Sequence, residues 1–488
     1  MALAARLPGP DDSERSAALD IRYVDGSTIA SPFRGAFAAR PGGVSVATGR
    51  PAVRTSRLLA ALSTALDLTE GQLPGHALRT CYLAMHVAER MGLDDRSRAD
   101  LFYAAFLKDA GCSSNAAAVT RIFGGDDIAI KAREKTAERG LLGLAAFSIR
   151  SLSSTEPIPL RLRRLISLGL NAPREQHMIE QLRCERGASI ARKAGFDEAV
   201  GNAILDLHEH WDGHGQPRGL AREQIDPLAR ILAVCQGLDV FRAARGPEEA
   251  IRKLGARRGT WYDPDVAGIL LDAASRGLLD ELGAPDLVGR TMALEPVSLQ
   301  RTSNEADVDQ LASAFADVID AKSPFTGAHS QNVASIGEAV AVRLGLPARD
   351  VVDVRRAGLL HDLGKLGVPN MILDKPAALT VEEFEQIKRH PELTLRILEP
   401  ITELGAVAEI AACHHERLDG LGYFRGLTAP ELVLGARVVA VADVFEALTA
   451  DRPYRPAMPT ERALEVLDIE TGGHLAADAV AALKAIVA

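Results

Sequence analysis

Seven residues near the C-terminal end of this 488-residue chain are of the types that hold metal ions, and they fall in five short motifs. They are His329 in Thr-Gly-Ala-His-Ser, the doublet His361-Asp362 in His-Asp-Leu-Gly-Lys, and His390 in Lys-Arg-His-Pro-Glu. The pair His414-His415 and Asp443 in Val-Ala-Asp-Val-Phe complete the set. Of the six histidines in this region only His474 stands apart. Burying so many imidazoles without a metal would leave many polar atoms in need of partners. Imidazole and carboxylate donors without thiolate suit iron, manganese, zinc, cobalt or nickel. Seven donors are too many for one ion with an open position, so two divalent transition-metal ions are expected, iron or manganese foremost. Two ions a few ångströms apart bind both non-bridging oxygens of a phosphate and lower the pKa of a water that attacks phosphorus in line. Lys365 lies four residues after His361 and can reach a phosphate oxygen.

The elements that must position these groups are helices. His329 shares a 4-3-4 spacing with Val333, Ile336 and Val340, which turns it inward. His361 and Lys365 are predicted to project from one side of a helix beginning near Val351, with Gly364, Gly367 and Pro369 breaking it. Thr380-Val381-Glu382-Glu383 reads as a capping box opening a helix that carries Phe384, Ile387 and His390. A further helix leads into His414-His415, and Val438–Leu448 presents Asp443. Each donor would come from a different buried helix, as in sites built inside helical bundles.

The segment from His414 continues as His415-Glu416-Arg417-Leu418-Asp419-Gly420-Leu421-Gly422-Tyr423. With the other motifs in the same order, residues 308–488 resemble the HD-GYP family of phosphodiesterases, a subset of the HD-domain metal hydrolases. The resemblance implies that Asp362 bridges two ions, with His329, His361, His390, His414, His415 and Asp443 at the terminal positions. It implies that Arg452 and Arg455, nine and twelve residues after Asp443, hold substrate phosphates as guanidinium forks do. It implies a cytoplasmic phosphodiesterase acting on a cyclic dinucleotide, with cyclic di-GMP linearised to pGpG and on to GMP. Competing readings are hydrolysis of another nucleotide, or a signalling module that binds nucleotide or partner proteins with little catalysis.

Three positions depart from the family pattern. A glutamate that holds a third ion in some members is Phe325 here. The Gly-Tyr-Pro signature is Gly422-Tyr423-Phe424, and phenylalanine cannot stiffen the loop as proline does. That loop is the family's partner-binding segment, so it is the expected contact for a signalling protein, and a homodimer is a further expectation. Near the end the usual aromatic-Asp-Pro segment is replaced by Gly472-Gly473-His474-Leu475, whereas Trp261-Tyr262-Asp263-Pro264 occurs earlier in the chain.

The chain repeats itself. His208-Glu209, Asp212-Gly213, Gly215 and Arg218-Gly219-Leu220 recur 207 residues later as His415-Glu416, Asp419-Gly420, Gly422 and Arg425-Gly426-Leu427. His76 and Lys108-Asp109 have the spacing of His329 and His361-Asp362. The first copy therefore carries about 46 extra residues between its Lys-Asp and His-Glu segments. At the seven donor positions it has His76, Lys108, Asp109, Arg183, Leu207, His208 and Gln236. Lys108 and Arg183 bring positive charge where the second copy would hold cations. The fold expected is all-α: two tandem HD-domain-like helical bundles, residues 52–290 without a full ligand set and 308–488 as a self-standing catalytic unit. Residues 1–51 read as a flexible tail, within which Ile21–Val24 could dock, and 291–307 as a linker.

Composition agrees. Apolar residues are 47% and aromatics only 4%, a balance that favours helix over sheet. A net charge of −9 speaks against DNA or RNA binding. No run of about 18 apolar residues suggests a membrane span. The five cysteines are dispersed, without paired zinc spacing, and read as buried small hydrophobes in a reducing compartment.

Overall fold

Alanine and leucine lose little entropy in a helix, and the described residues are mostly helical. The computed structural model describes residues 52–137, 147, 150–152, 158–451 and 456–487. Arg452, Arg455, the tail to residue 51 and its Ile21–Val24 stretch lie outside the described residues.

Six helices of the first half have counterparts in the second. They are α1 (Thr55–Thr69), α2 (His76–Met91), α3 (Asp95–Leu107), α4 (Ile158–Lys193), α5 (Glu198–Leu205) and α6 (Pro227–Arg245). Their counterparts are α7 (Glu305–Asp320), α8 (His329–Arg343), α9 (Ala348–Leu360), α10 (His390–Leu398), α11 (Gly405–Ala412) and α12 (Leu434–Thr449). In each half the second helix packs on the third and the sixth, and the third packs on the fifth. The sequence writes these boundaries plainly. Gly92 ends α2 at φ 68°, and Asp94 accepts from the backbone N of Ser97 at 2.7 Å to open α3. The extra residues of the first copy enlarge the region before α5, where α4 runs for 36 residues and α10 for 9.

The two halves pack directly on each other. Helix α1 lies on α10 and on the 3-10 turn Leu363–Gly367 of the second half, while α7 lies on α4 of the first. The apolar faces of α1 (Leu58, Leu62) and α7 (Val308, Leu311, Ala312) meet Leu360 and Leu404. One contiguous core runs from Val53 to Leu483. The exchange is reciprocal, like an isologous dimer interface written into one chain.

Residues 291–307 are also structured. Strand β2 (Thr302–Ser303) pairs antiparallel with β1 (Val53–Arg54), just before α7 and α1. Buried Glu295 accepts from Arg54 at 2.7 Å, Ser56 at 2.9 Å and Tyr103 at 2.5 Å. A short polar run lacks helical period yet is held by buried hydrogen bonds, which periodicity does not report.

Candidate metal centre

The seven donors expected from sequence come together in one buried cluster of the second half, and they sit mostly at helix ends. His361 caps α9 and Asp362 follows it; His390 is the first residue of α10; His414 and His415 come just after Cys413, the C-cap of α11. His390 therefore does not ride on Val381–Lys388, whose Thr380–Glu383 capping box is present. Nor do His361 and Lys365 share one α-helical face, because α9 stops at Leu360 and Lys365 lies in the following 3-10 turn. Lys365 instead turns back onto Asp362, with Nζ 2.5 Å from Oδ2.

The last carbonyls of a helix have no intrahelical partner, and three of these histidines use them. His361 Nδ1 meets Gly358 O at 2.8 Å, His390 Nδ1 meets Ile387 O at 2.7 Å, and His414 Nδ1 meets Ala411 O at 2.6 Å. Each bond fixes the proton on Nδ1 and leaves Nε2 as a bare acceptor. The Nε2 atoms of His390 and His414 then face each other at 3.2 Å, two lone pairs with no proton between them. His329 and His361 meet similarly, Nε2 to Nε2 at 3.3 Å. Asp362 lies between these pairs. Its Oδ2 is 3.5 Å from His329 and 3.4 Å from His361, and its Oδ1 is 3.4 Å from His390 and 3.8 Å from His414. Buried Oδ1 has no hydrogen-bond partner. Asp443 Oδ1 joins the first pair at 3.3 Å from His329, and His415 groups with His390 and His414.

Burial lowers His329, but Glu446, Asp362 and Asp443 prevail and hold it well above the usual imidazole range, whereas other donors are held in the form that binds cations. Burial pushes the Asp362 carboxyl up, but His361, Lys365 and His329 prevail and hold it well below the usual carboxylate range. Asp443 is held low in the same way by His329 and His361. Burial, reinforced by His361, pulls His414 down to about 4. His390 and His415 also fall well below the usual imidazole range, burial first and then Lys365 or His414. The lowered imidazoles of His390, His414 and His415 beside ionised Asp362, and His329 and His361 beside Asp362 and Asp443, form two groups of donors that fit divalent cations. His329, His361, Asp443 and Asp362 Oδ2 could hold one, and Asp362 Oδ1, His390, His414 and His415 the other.

Glu446 escaped the sequence reading, and the parts played by Tyr423 and Glu416 became visible only in the structure. Glu446 binds His329 Nδ1, and its only signal was its place one turn after Asp443 on α12. Tyr423 turns inward and packs on His415, ring centroids 4.8 Å apart. Glu416 shapes the glycine loop by accepting from Arg425 N at 2.7 Å and Leu427 N at 3.0 Å, and Glu209 does the same for Arg218 and Leu220. A Cβ on Gly422 would lie 2.6 Å from Glu416 Cα, so only glycine fits there. Phe424 has φ 107°, which the ring of proline, locked near −65°, could not adopt. Phe325, at the third-ion position, is partly exposed and carries no donor.

The corresponding place in the first half is filled by the chain's own cations. Lys108 pairs with Asp109, Arg183 reaches Glu70 at 3.4 Å and Asp109 at 3.7 Å, and Lys135 reaches Glu70 at 2.7 Å. His76 Nδ1 meets Asp239 at 2.8 Å, the position equivalent to Glu446.

Comparison with known proteins gives a consistent picture. The family described as HD domain matches residues 158–266 and 313–478, reaching both halves. The chain is 38% identical over 430 residues to a 3'3'-cGAMP-specific phosphodiesterase 3 of Vibrio cholerae, covering 88% of this chain and 94% of that protein. It is 42% identical over 151 residues to a cyclic di-GMP phosphodiesterase of Thermotoga maritima, covering 30% and 40% respectively. The crystal structure of a cyclic GMP-AMP specific phosphodiesterase from V. cholerae superposes with a TM-score of 0.62 at 34% identity, covering 90% of this chain and 98% of that one.

Proposed function

Because the chain belongs to the HD-domain family, as a metal-dependent phosphodiesterase of the HD-GYP type, we propose that its second half opens a cyclic dinucleotide at the Asp362 centre. The observation that carries this reading is the pair of facing imidazole couples on opposite oxygens of one buried carboxylate. Two divalent ions bound there would supply Lewis acidity for the phosphate and a water acidified enough to attack it. Asp362 would hold both ions, one through each oxygen, with His329, His361 and Asp443 on one side and His390, His414 and His415 on the other. Glu446 orients His329, and the three helix-end carbonyls orient His361, His390 and His414. Lys365 stands beside Asp362 as the group that meets a phosphate oxygen, and Arg452 and Arg455 are the phosphate forks that follow in sequence.

Between the two substrates, likeness over nearly the whole chain to the cGAMP-specific enzyme supports 3'3'-cGAMP ahead of the cyclic di-GMP first expected. The cyclic di-GMP relative named above matches 151 residues only. The full chain, loaded anaerobically with iron or manganese, is to be incubated separately with 3'3'-cGAMP, cyclic di-GMP and cyclic di-AMP, and the products separated. Linear pApG or pGpA formed faster than pGpG supports the assignment. Faster opening of cyclic di-GMP reverses the substrate order, and no opening of any of the three sinks the function.

A further inference from the structure

The first half holds a partly open cavity of about 270 Å³ beside its filled-in site. Helix α4 carries Glu180 and Cys184 four residues apart, so both leave the same face of the helix. The turn after α5 brings His208 onto them. One donor atom from each, a carboxylate oxygen, a thiol sulfur and an imidazole nitrogen, lie within 4.8 Å of one another. Glu180 and His208 line the cavity, while Cys184 is fully buried with its sulfur among their donor atoms. His208 Nε2 and Glu180 Oε2 are both buried without a hydrogen-bond partner. The neighbouring Arg183 is directed to Glu70 and Asp109 and comes no closer to Glu180 than 3.8 Å.

We propose that Glu180, Cys184 and His208 hold a single divalent cation of the zinc class, with one coordination position open to the cavity. Thiolate, imidazole and carboxylate are the donors zinc takes, and three protein ligands with an open fourth place are a tetrahedral set. An i, i+4 pair on a helix completed by a residue from another segment is a common way to build such a site. The thiol proton leaves to solvent as the cation binds. A +2 ion with one thiolate and one carboxylate is neutral, so Arg183, already paired elsewhere, does not oppose it. The site is not a remnant of the second half's centre. Only His208 has a donor counterpart there, His415, because Glu180 and Cys184 correspond to Ile387 and Pro391.

Sulfur makes the test selective, since none of the seven donors of the second half is a thiolate. Full-length protein stripped with a chelator is titrated with Co²⁺, and the thiolate-to-cobalt charge-transfer absorption is followed in the near ultraviolet. One equivalent of the band is expected in the unaltered chain, in Cys413→Ser and in Asp362→Ala, where the second half's centre is broken. It should be lost in Cys184→Ser and in His208→Ala. A band missing from the unaltered chain overturns the proposal with no variant needed. So does a band that survives Cys184→Ser or vanishes in Asp362→Ala.

Discussion

Asp362 is the residue on which the second half turns, because each of its oxygens faces a different imidazole pair. Replacing it with alanine removes a donor from both groups at once. Asp362→Ala is expected to abolish turnover and to lower the metal retained by the second half, measured by elemental analysis after desalting. Full activity in that variant would remove the bridging role. Glu446 acts one step further out, through the Nδ1 of His329. Outer partners of ligating histidines fix ring orientation, and their loss typically costs about 10–100-fold in metal affinity or activity. Glu446→Gln should therefore show a loss in that range, with the larger part recovered by excess metal. A loss that no metal concentration relieves would place Glu446 elsewhere in the mechanism.

At the scale of elements, two short polar links decide how helices meet. Gly75, the residue before α2, offers no side-chain cap, and Asp67 from the end of α1 accepts from Ala77 N at 3.1 Å instead. Burial pushes the Asp67 carboxyl up to about 7, with Asp109 adding to it and Lys108 opposing. The sign follows from linkage. Between the ordinary carboxylate pKa and about 7 the folded chain keeps a proton that the unfolded chain has lost, so stability falls across that window as pH rises. Asparagine keeps the acceptor without the charge. Asp67→Asn should match the parent in stability near pH 4 and exceed it above pH 7, by about 4 kcal/mol at most. A constant difference from pH 4 to 8 would mean the shift is absent.

The second link crosses between halves. Asp127 Oδ1 accepts from Asn370 N at 2.7 Å, its Oδ2 lies 3.6 Å from buried Lys322, and Lys322 Nζ donates to Leu366 O at 3.2 Å. That carbonyl belongs to the 3-10 turn that carries Lys365. Breaking one partner of a buried pair typically costs about 3–5 kcal/mol, since the other charge is left uncompensated. Asp127→Asn is expected to destabilise the chain and to speed amide exchange at residues 363–367. Adding Lys322→Met should restore most of the stability. Unchanged exchange in the single variant would show that the turn is held by other contacts.

At the scale of the whole molecule, the reciprocal docking of α1 and α7 predicts that the halves unfold together. Leu58 is fully buried on α1 at the place where the halves meet, and a buried Leu→Ala change costs about 2–5 kcal/mol. Both tryptophans, Trp211 and Trp261, lie in the first half, so their fluorescence reports on it alone. In urea, Leu58→Ala should shift the tryptophan transition and the loss of second-half activity together to lower concentration. Transitions that separate would mean two independent cores. Among the described residues no helix is long and apolar enough to cross a membrane.

The sequence by itself determined the helical class and the repeat, and it singled out the histidines and aspartates that cluster in the second half, because each of these is written locally. Alanine and leucine content sets helix, the constant offset exposes the copies, and motif residues name their own chemistry. It could not determine which atoms face one another. His390 was expected on one helix and opens the next, since a Lys-Arg-His run gives no stop signal that periodicity can see. Glu446 and Asp239, which orient His329 and His76, are ordinary acids in the sequence and become partners only across packed helices. The same holds for Glu180, Cys184 and His208, whose donors meet only because α4 and the turn after α5 are folded together. The shared core, likewise, comes from faces 250 residues apart, and their pairing is a property of tertiary packing rather than of any local pattern.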